Sequence, residues 1–245
     1  LGQYYPGNSF IHKLDPRTKI LSSLAYIIAV FLAAESISYA AVIGFLFLVI
    51  AFSRLPFILV LKSIKPLWII ILLTLWIHVF TGQGEVLWSW KYLIVTKEGL
   101  AMGIKMSLRL ILLLMISSIL TFTTSPIVLT DGIEAILKPF KKIGVPAHEL
   151  AMMMTIALRF IPTLLEETDR IMKAQSARGA DFTSGNIVRR AKNMLPILVP
   201  LFISAFRRAD ELAVAMEARC YRGGEGRTRM HELVYQQRDM MAACG

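Results

Sequence analysis

Cysteine is scarce in this chain: Cys220 and Cys244 are the only two in 245 residues, both in a basic context near the end. No disulfide framework is available. Charge is scarce as well, at 18% of residues, where a soluble domain carries about a quarter. Disorder, collagen and a disulfide scaffold are excluded on composition. The signatures of self-contained chemistry are missing too. There is no G-x-x-x-x-G-K-[ST] loop to cradle nucleotide phosphates, no H-E-x-x-H and no G-x-S-x-G. His12, His78, His148 and His231 are scattered along the chain, so no metal site is read.

Apolar sequence is abundant. Hydrophobic residues make up 56% and mean hydropathy is +0.59, the composition of a polytopic membrane protein. Residues 1–124 carry 10 basic and 4 acidic side chains; residues 125–245 carry 17 and 13. The first part is nearly charge-free with short basic loops, and the second is amphipathic and charge-rich. The net charge of +10 raises nucleic acid as a partner, but cytoplasmic loops of membrane proteins are basic in any case, and no nucleic-acid partner is read.

Four apolar runs, Ile20–Ala34, Ile37–Phe52, Pro66–Phe80 and Leu100–Thr121, read as membrane-spanning helices, because backbone groups in lipid must be satisfied within the segment. The first three are slightly short of the roughly 20 residues a bilayer needs, so their flanks must contribute. Lys13, Arg17 and Lys19 precede the first run, and Arg54, Lys62 and Lys65 separate the second from the third. Only Lys91 and Lys97 separate the third from the fourth. The positive-inside rule then puts the N-terminus and the Arg54–Lys65 loop in the cytoplasm and returns the chain there near Thr124. The first run also has the form of a signal-peptide core. More spans follow directly, however, and Asp15-Pro16 sets an N-cap with proline at the first helical position. Leu stands at position 1, so further N-terminal residues are expected.

The second half holds two long amphipathic stretches. One runs from Ala147 to Arg178 with Pro162 inside it; the other runs from about Asn186 to Arg219 and is interrupted by Pro196 and Pro200. Gly179–Gly185 is turn chemistry that reverses the chain between them. The fold class is therefore all-α. Residues 1–124 form a membrane domain, and residues 125–245 form a coupling domain on the cytoplasmic side, built on two long helices that cross or pack together.

Those helices end alike. Asp169-x4-Ala174-x2-Ala177-Arg178-Gly179 matches Asp210-x4-Ala215-x2-Ala218-Arg219-Cys220. Alanines at i and i+3 leave a smooth face for another backbone, and the following Arg is a planar fork suited to carboxylates and carbonyls. One copy is ordinary helix composition. Two copies with a matched upstream Asp read as two plugs for two similar sockets. Elsewhere, Lys105 and Arg109 lie one turn apart in the fourth span, where charges are functional candidates by default, with helix neighbours near enough to pair. His78 is a candidate polar contact between helices, and Gly99-x-x-x-Gly103 permits close helix contact.

Two regions resemble the transmembrane T component family of energy-coupling factor (ECF) transporters. Tyr4-Tyr5-Pro6-Gly7-Asn8-Ser9-Phe10-Ile11-His12-Lys13-Leu14-Asp15-Pro16-Arg17-Thr18-Lys19 is similar to the family's signature before its first span. Ala177-Arg178-Gly179 and Ala218-Arg219-Cys220 are similar to its paired coupling motifs, and Tyr221–Thr228 fits as well. The resemblance implies a non-catalytic, multi-pass scaffold of a prokaryotic cell (inner) membrane, with no cofactor of its own. Two ABC-type ATPase subunits would bind ATP-Mg, and a substrate-binding membrane S component would carry a vitamin or metal ion. By the same resemblance Arg178 and Arg219 anchor the ATPases, with Ala177, Gly179, Ala218 and Cys220 allowing close approach. The apolar portions Ala147–Leu165 and Met194–Phe206, with Met152, Met153, Met154 and Phe202, would grip the S component. Methionine suits surfaces that accept several partners, although three in an apolar helix also serve as filler.

Cys220 departs from the family's glycine, and a position there needing positive φ would be strained. The resemblance also implies a further span after Asp239, with Met240–Ala243 as its opening. Within the family, a T component dedicated to one substrate (cobalt, nickel or biotin) stays open as an alternative. Outside it, a membrane-embedded enzyme would need a cluster of ionisable residues in the spans, where Glu35 is the only acid between Lys19 and Phe80. A self-sufficient channel or secondary transporter would need inverted repeats or broken helices at midplane, whereas the repeat here is charged and outside the spans.

Overall fold

The computed structural model describes residues 4–81, 84–90, 93–180, 182, 187–223 and 238–239, with the side chains of 86–90, 93–95 and 187–191 outside the description. Eight α-helices are delimited among the described residues: α1 Pro16–Leu32, α2 Ser36–Ser53, α3 Phe57–Lys62, α4 Trp68–Thr81, α5 Lys97–Thr123, α6 Pro126–Leu137, α7 Ala147–Ala177 and α8 Ile187–Ala218. A short antiparallel hairpin, β1 Val86–Trp90 with β2 Leu93–Thr96, fills the stretch between α4 and α5. The fold is all-α in class around it. The chain divides into two compact units, one of residues 2–132 with 233–245 and one of residues 133–232.

In the first unit α5 is the central helix, and α1, α2, α3 and α4 all pack on it. Its inner face contributes Leu112, Met115, Ile116, Ile119 and Phe122 to a core shared with Tyr26 and Val30 of α1, Leu46 and Ile50 of α2, and Val60 of α3. Lipid tails are as apolar as these side chains, so close packing rather than water exclusion must hold such helices together. Gly103 marks one such close approach. A Cβ added there would lie 3.2 Å from the Leu75 carbonyl oxygen of α4 and 3.4 Å from the His78 Cβ. The outer faces stay apolar and exposed, as with Trp68, Ile69, Leu72, Leu73 and Trp76 of α4.

α1 starts where the sequence places it. Asp15 is the N-cap, its carboxylate accepting from the Arg17 N–H at 2.8 Å, and Pro16 opens the helix. The helix ends at Leu32, two residues before the apolar run does, because Ala33 turns to an extended conformation. The last turn of α1 leaves carbonyls with no intrahelical donor, and α5 supplies donors for them. Arg109 Nη2 donates to the carbonyls of Phe31 at 3.5 Å and Ala33 at 3.4 Å and to the Tyr39 hydroxyl at 3.2 Å, while Lys105 Nζ donates to Ala34 at 3.4 Å. The Arg109 guanidinium also lies 5.4 Å over the Phe31 ring. The two cations of the fourth span therefore cap a neighbouring helix.

The reverse cap closes the other end. The Tyr5 N–H donates to the Phe122 carbonyl at 2.9 Å. Lys19 is only 6% exposed, and its Nζ donates to the His12 carbonyl at 3.1 Å and to the Thr123 carbonyl at 3.2 Å. α1 and α5 are thus antiparallel, each supplying donors for the other's C-terminal carbonyls. The N-terminal segment is a folded loop. His12 Nε2 donates to the Tyr5 carbonyl at 3.0 Å, which leaves Nδ1 to accept from the Ser9 hydroxyl at 2.6 Å. Asp239 belongs to the same hub, accepting from the Asp15 N–H at 2.7 Å.

Among the described residues four stretches are long and apolar enough to cross a membrane: α2, the Phe57–Thr81 run of α3 and α4, α5 and α7. The third apolar run gains the flank it needed, since α3 and a 3-10 turn at Lys65–Leu67 extend it backwards. α1, at 17 residues, is about 25 Å long and falls just below that length, whereas α7 meets it. Of the other expected features, Lys91, Asp181, Thr183–Asn186, Gly224–Thr228, His231, Met240–Ala243 and Cys244 lie outside the described residues. His78 corrects one expectation: its Nδ1–H donates to the Thr74 carbonyl of its own helix at 2.8 Å, and among the described residues it makes no bridge to a neighbouring helix. Threonine and histidine reach an i−4 carbonyl easily, and in an apolar helix that is the nearest acceptor.

Candidate functional site

The second unit is organised by α7 and α8, of 31 and 32 residues. Pro162, Pro196 and Pro200 lie inside these helices without ending them, so the interruption expected at Pro196 and Pro200 does not occur. The two helices run antiparallel. His148, in the first turn of α7, meets Tyr221 just beyond the end of α8 at 3.4 Å. Further along, Glu167 of α7 accepts from the Ser204 hydroxyl at 2.6 Å and from Arg208 Nη2 at 3.0 Å.

Glu167 and Arg208 are 41 residues apart, the offset that relates the two helix-end motifs. Equivalent positions of the repeat therefore meet each other at the centre of the pair. Arg178 and Arg219 each lie 11 residues beyond that ion pair, about 16 Å of helix. Because the helices are antiparallel, these arms point in opposite directions, which separates the two arginines by up to about 33 Å along the pair. Between the helices runs an apolar groove of about 330 Å³, lined by Ile156, Phe160 and Leu164 on one side and by Ala205, Ala209 and Leu212 on the other.

The two ends share one backbone device. At α7 the Gly179 N–H donates to Ser176 and the Ala180 N–H donates to Gln175, both at 3.0 Å, with Gly179 at φ +87°. At α8 the Cys220 N–H donates to Glu217 at 2.8 Å and the Tyr221 N–H to Met216 at 3.0 Å, with Cys220 at φ +58°. Both are Schellman caps, with the arginine at the C-cap and the Gly or Cys at the left-handed position that follows. A cation at a helix C-terminus is favoured by the helix dipole. The cap also ends the helix at once, so the guanidinium stands on a fixed base. Ala177, Arg178, Gly179, Ala218, Arg219 and Cys220 are all exposed.

The expected gripping residues lie on the same two helices. Met153 and Met154 are exposed, Met152 is half-buried, and Phe202 is 61% exposed. Leu195, Leu198, Val199, Ile203 and Phe206 continue the apolar surface of α8. Among the described residues no three His, Cys, Asp or Glu side chains gather as a metal site would require.

Residues 7–231 match the CbiQ family, described as cobalt transport protein. The chain belongs to the CbiQ family. Its relatives are described as transporter transmembrane proteins. The energy-coupling factor transporter transmembrane protein EcfT of Acidaminococcus fermentans is 74% identical over 241 residues, covering 98% of this chain and 90% of the relative. The protein of the same description from Clostridium kluyveri is 59% identical over 245 residues, covering 99% and 91%. That of Bacillus subtilis is 50% identical over 240 residues, covering 98% and 91%. This CbiQ-family chain is accordingly a membrane protein of transport, of the T-component type found in energy-coupling factor transporters.

Two clusters in it are not singled out by motif reading. Glu167 and Arg208 carry opposite charges at equivalent repeat positions, a signal present in the sequence once the offset is extended upstream, and Ser204 adds a hydroxyl to the same carboxylate. Glu134 and His148, joined at 3.1 Å, come from different elements, and no spacing rule brings them together.

Proposed function

We propose that this chain is the scaffold and energy-coupling subunit of an ECF-type importer. It transmits the motion of two ATP-hydrolysing ABC-type subunits to a substrate-binding membrane S component that carries a vitamin or metal ion. The chain itself catalyses nothing and holds no cofactor, and ATP-Mg belongs to the ATPases. One observation carries the reading: two identical caps, each presenting an exposed arginine, stand at opposite ends of one antiparallel pair at equal distances from a central ion pair. Two similar ATPases present two similar sockets, and a rigid bar with matched ends suits them.

In this reading Arg178 and Arg219 enter the ATPase sockets. Ala177 and Ala218 keep the approaching surface free of bulk, and the Schellman caps fix the direction of each guanidinium. When the ATPases close on ATP, their sockets approach and the two helices must turn about the Glu167–Arg208 contact. The apolar surface of α8 around Phe202, with Met152–Met154 of α7, passes that motion to the S component. The charged second half of α7, with Glu166, Glu167, Asp169, Arg170 and Lys173, favours a place for this helix on the cytoplasmic side. Lys and Arg in the Arg54–Lys65 loop favour a cytoplasmic N-terminus.

The test is co-purification. Arg178→Glu and Arg219→Glu, singly and together, are expressed with the ATPases and an S component. The double variant is expected to lose the ATPases and keep the S component, and ATP-dependent uptake into vesicles is expected to stop. ATPases that stay bound, with uptake intact, would reduce the repeat to helix composition.

A further inference from the structure

The docking reading treats the two helix ends as equivalent, yet the residue after each cap differs. Beyond Gly179 stands Ala180, whose methyl has no polar atom. At the matching place beyond Cys220 stands Tyr221. Its backbone N–H is part of the cap, bonded to Met216 at 3.0 Å, and its hydroxyl reaches His148 Nε2 at 3.4 Å. The other ring nitrogen, Nδ1, lies 3.1 Å from Glu134 Oε1. A carboxylate can only accept, so Nδ1–H donates to Glu134, and Nε2 is left to accept from the Tyr221 hydroxyl. Glu134 lies in α6, His148 in the first turn of α7, and Tyr221 one residue past the second docking motif. The Glu134 side chain is 13% exposed and that of His148 31%, which shelters the contacts from competing water.

We infer that Glu134, His148 and Tyr221 form a latch that holds the Arg219 end in a fixed orientation, while among the described residues the Arg178 end has no equivalent restraint. This rests on the docking reading above. Glu134 sets the ring of His148, the ring holds the Tyr221 hydroxyl, and Tyr221 is one residue from Cys220 and two from Arg219. The three are positioning residues and do not themselves enter a socket. The physical consequence is an asymmetric bar. The α8 end is tied at two points, through its cap and through the tyrosine ring, and moves with α6 and the start of α7. Among the described residues the α7 end is tied through its cap alone. Motion imposed at one socket is then delivered against a fixed point at the other, instead of being absorbed by slack at both.

The experiment reads the mobility of each end separately. A nitroxide is attached to Cys220, which is exposed, in the full chain carrying Cys244→Ser, purified in detergent. The same label at Ser176→Cys, in a Cys220→Ser, Cys244→Ser chain, serves as the reference near the α7 end. Tyr221→Phe removes one oxygen and keeps the ring; His148→Ala removes the acceptor. Each is expected to shorten the label's rotational correlation time at Cys220 at least threefold. The double variant is expected to be no faster than the faster single, and the reference label to be unchanged. An unchanged line shape at Cys220 in Tyr221→Phe, or additive effects in the double variant, would overturn the latch. In vesicles with ATPases and S component, Tyr221→Phe is expected to keep the complex assembled and ATP hydrolysis within twofold while uptake per ATP falls severalfold; undiminished uptake per ATP would also overturn it. Arg219→Glu run alongside separates the readings, since its loss of ATPases tests docking whatever the label at Cys220 reports.

Discussion

Gly179 and Cys220 occupy the same position of the same helix cap, at φ +87° and +58°. The strain expected from a cysteine at a glycine position is therefore real: the side chain sits in the left-handed region, which costs an L-residue other than glycine roughly 1–2 kcal/mol.

Cys220→Gly relieves that cost. It is expected to stabilise the end of α8 by about 1 kcal/mol, seen as slower amide exchange at Cys220 and Tyr221, with ATPase co-purification retained. Gly179→Val, a β-branched residue at φ +87°, is expected to do the opposite at the end of α7. Faster exchange after Cys220→Gly would contradict the cap assignment.

Arg109 donates to the exposed carbonyls at the end of α1, and hydrogen bonds to a charged group contribute about 1.5–3 kcal/mol each. Arg109→Leu is expected to lower the midpoint of thermal unfolding in detergent by several degrees. Arg109→Lys is expected to recover part of the loss, since an ammonium reaches fewer of the three acceptors. Equal midpoints for wild type and Arg109→Leu would remove the capping role.

Lys19 is the counterpart at the other end of the α1–α5 pair and sits beside Asp15 and Asp239. Removing one member of a buried charge group costs about 3–5 kcal/mol because the remaining charges are left uncompensated. Lys19→Met is expected to cut the yield of folded protein, judged by size-exclusion profile. Lys19→Met combined with Asp239→Asn is expected to restore part of it.

Gly103 lets α5 approach the α4 backbone. Gly103→Ala asks the Leu75 carbonyl to give by a few tenths of an ångström and is expected to be mild. Gly103→Leu is expected to cost about 1–3 kcal/mol by overpacking and to show as a lower unfolding midpoint. A midpoint unchanged by leucine would mean the two helices have room to part.

The elements were legible in the sequence for local reasons. Apolar runs place α1, α2, α4 and α5 within a few residues; Asp15-Pro16 fixes the start of α1, and the amphipathic stretches mark α7 and α8. The matched endings could be read as a repeat because both caps are local, closed by residues within six positions of each other. Local chemistry misled at two places. α1 stops short of its apolar run with its final carbonyls held by Arg109 and Lys105, and Pro196 and Pro200 sit inside a helix that runs on past them.

What only the tertiary structure decided is pairing across distance. Lys105 and Arg109 are two charges in an apolar run until α1 is laid antiparallel beside them and its last carbonyls come within reach. Glu167 and Arg208, or Glu134, His148 and Tyr221, become clusters only when α7 and α8 run antiparallel. Side-chain periodicity tells which face of a helix is buried; it does not tell which residue of another helix lies opposite.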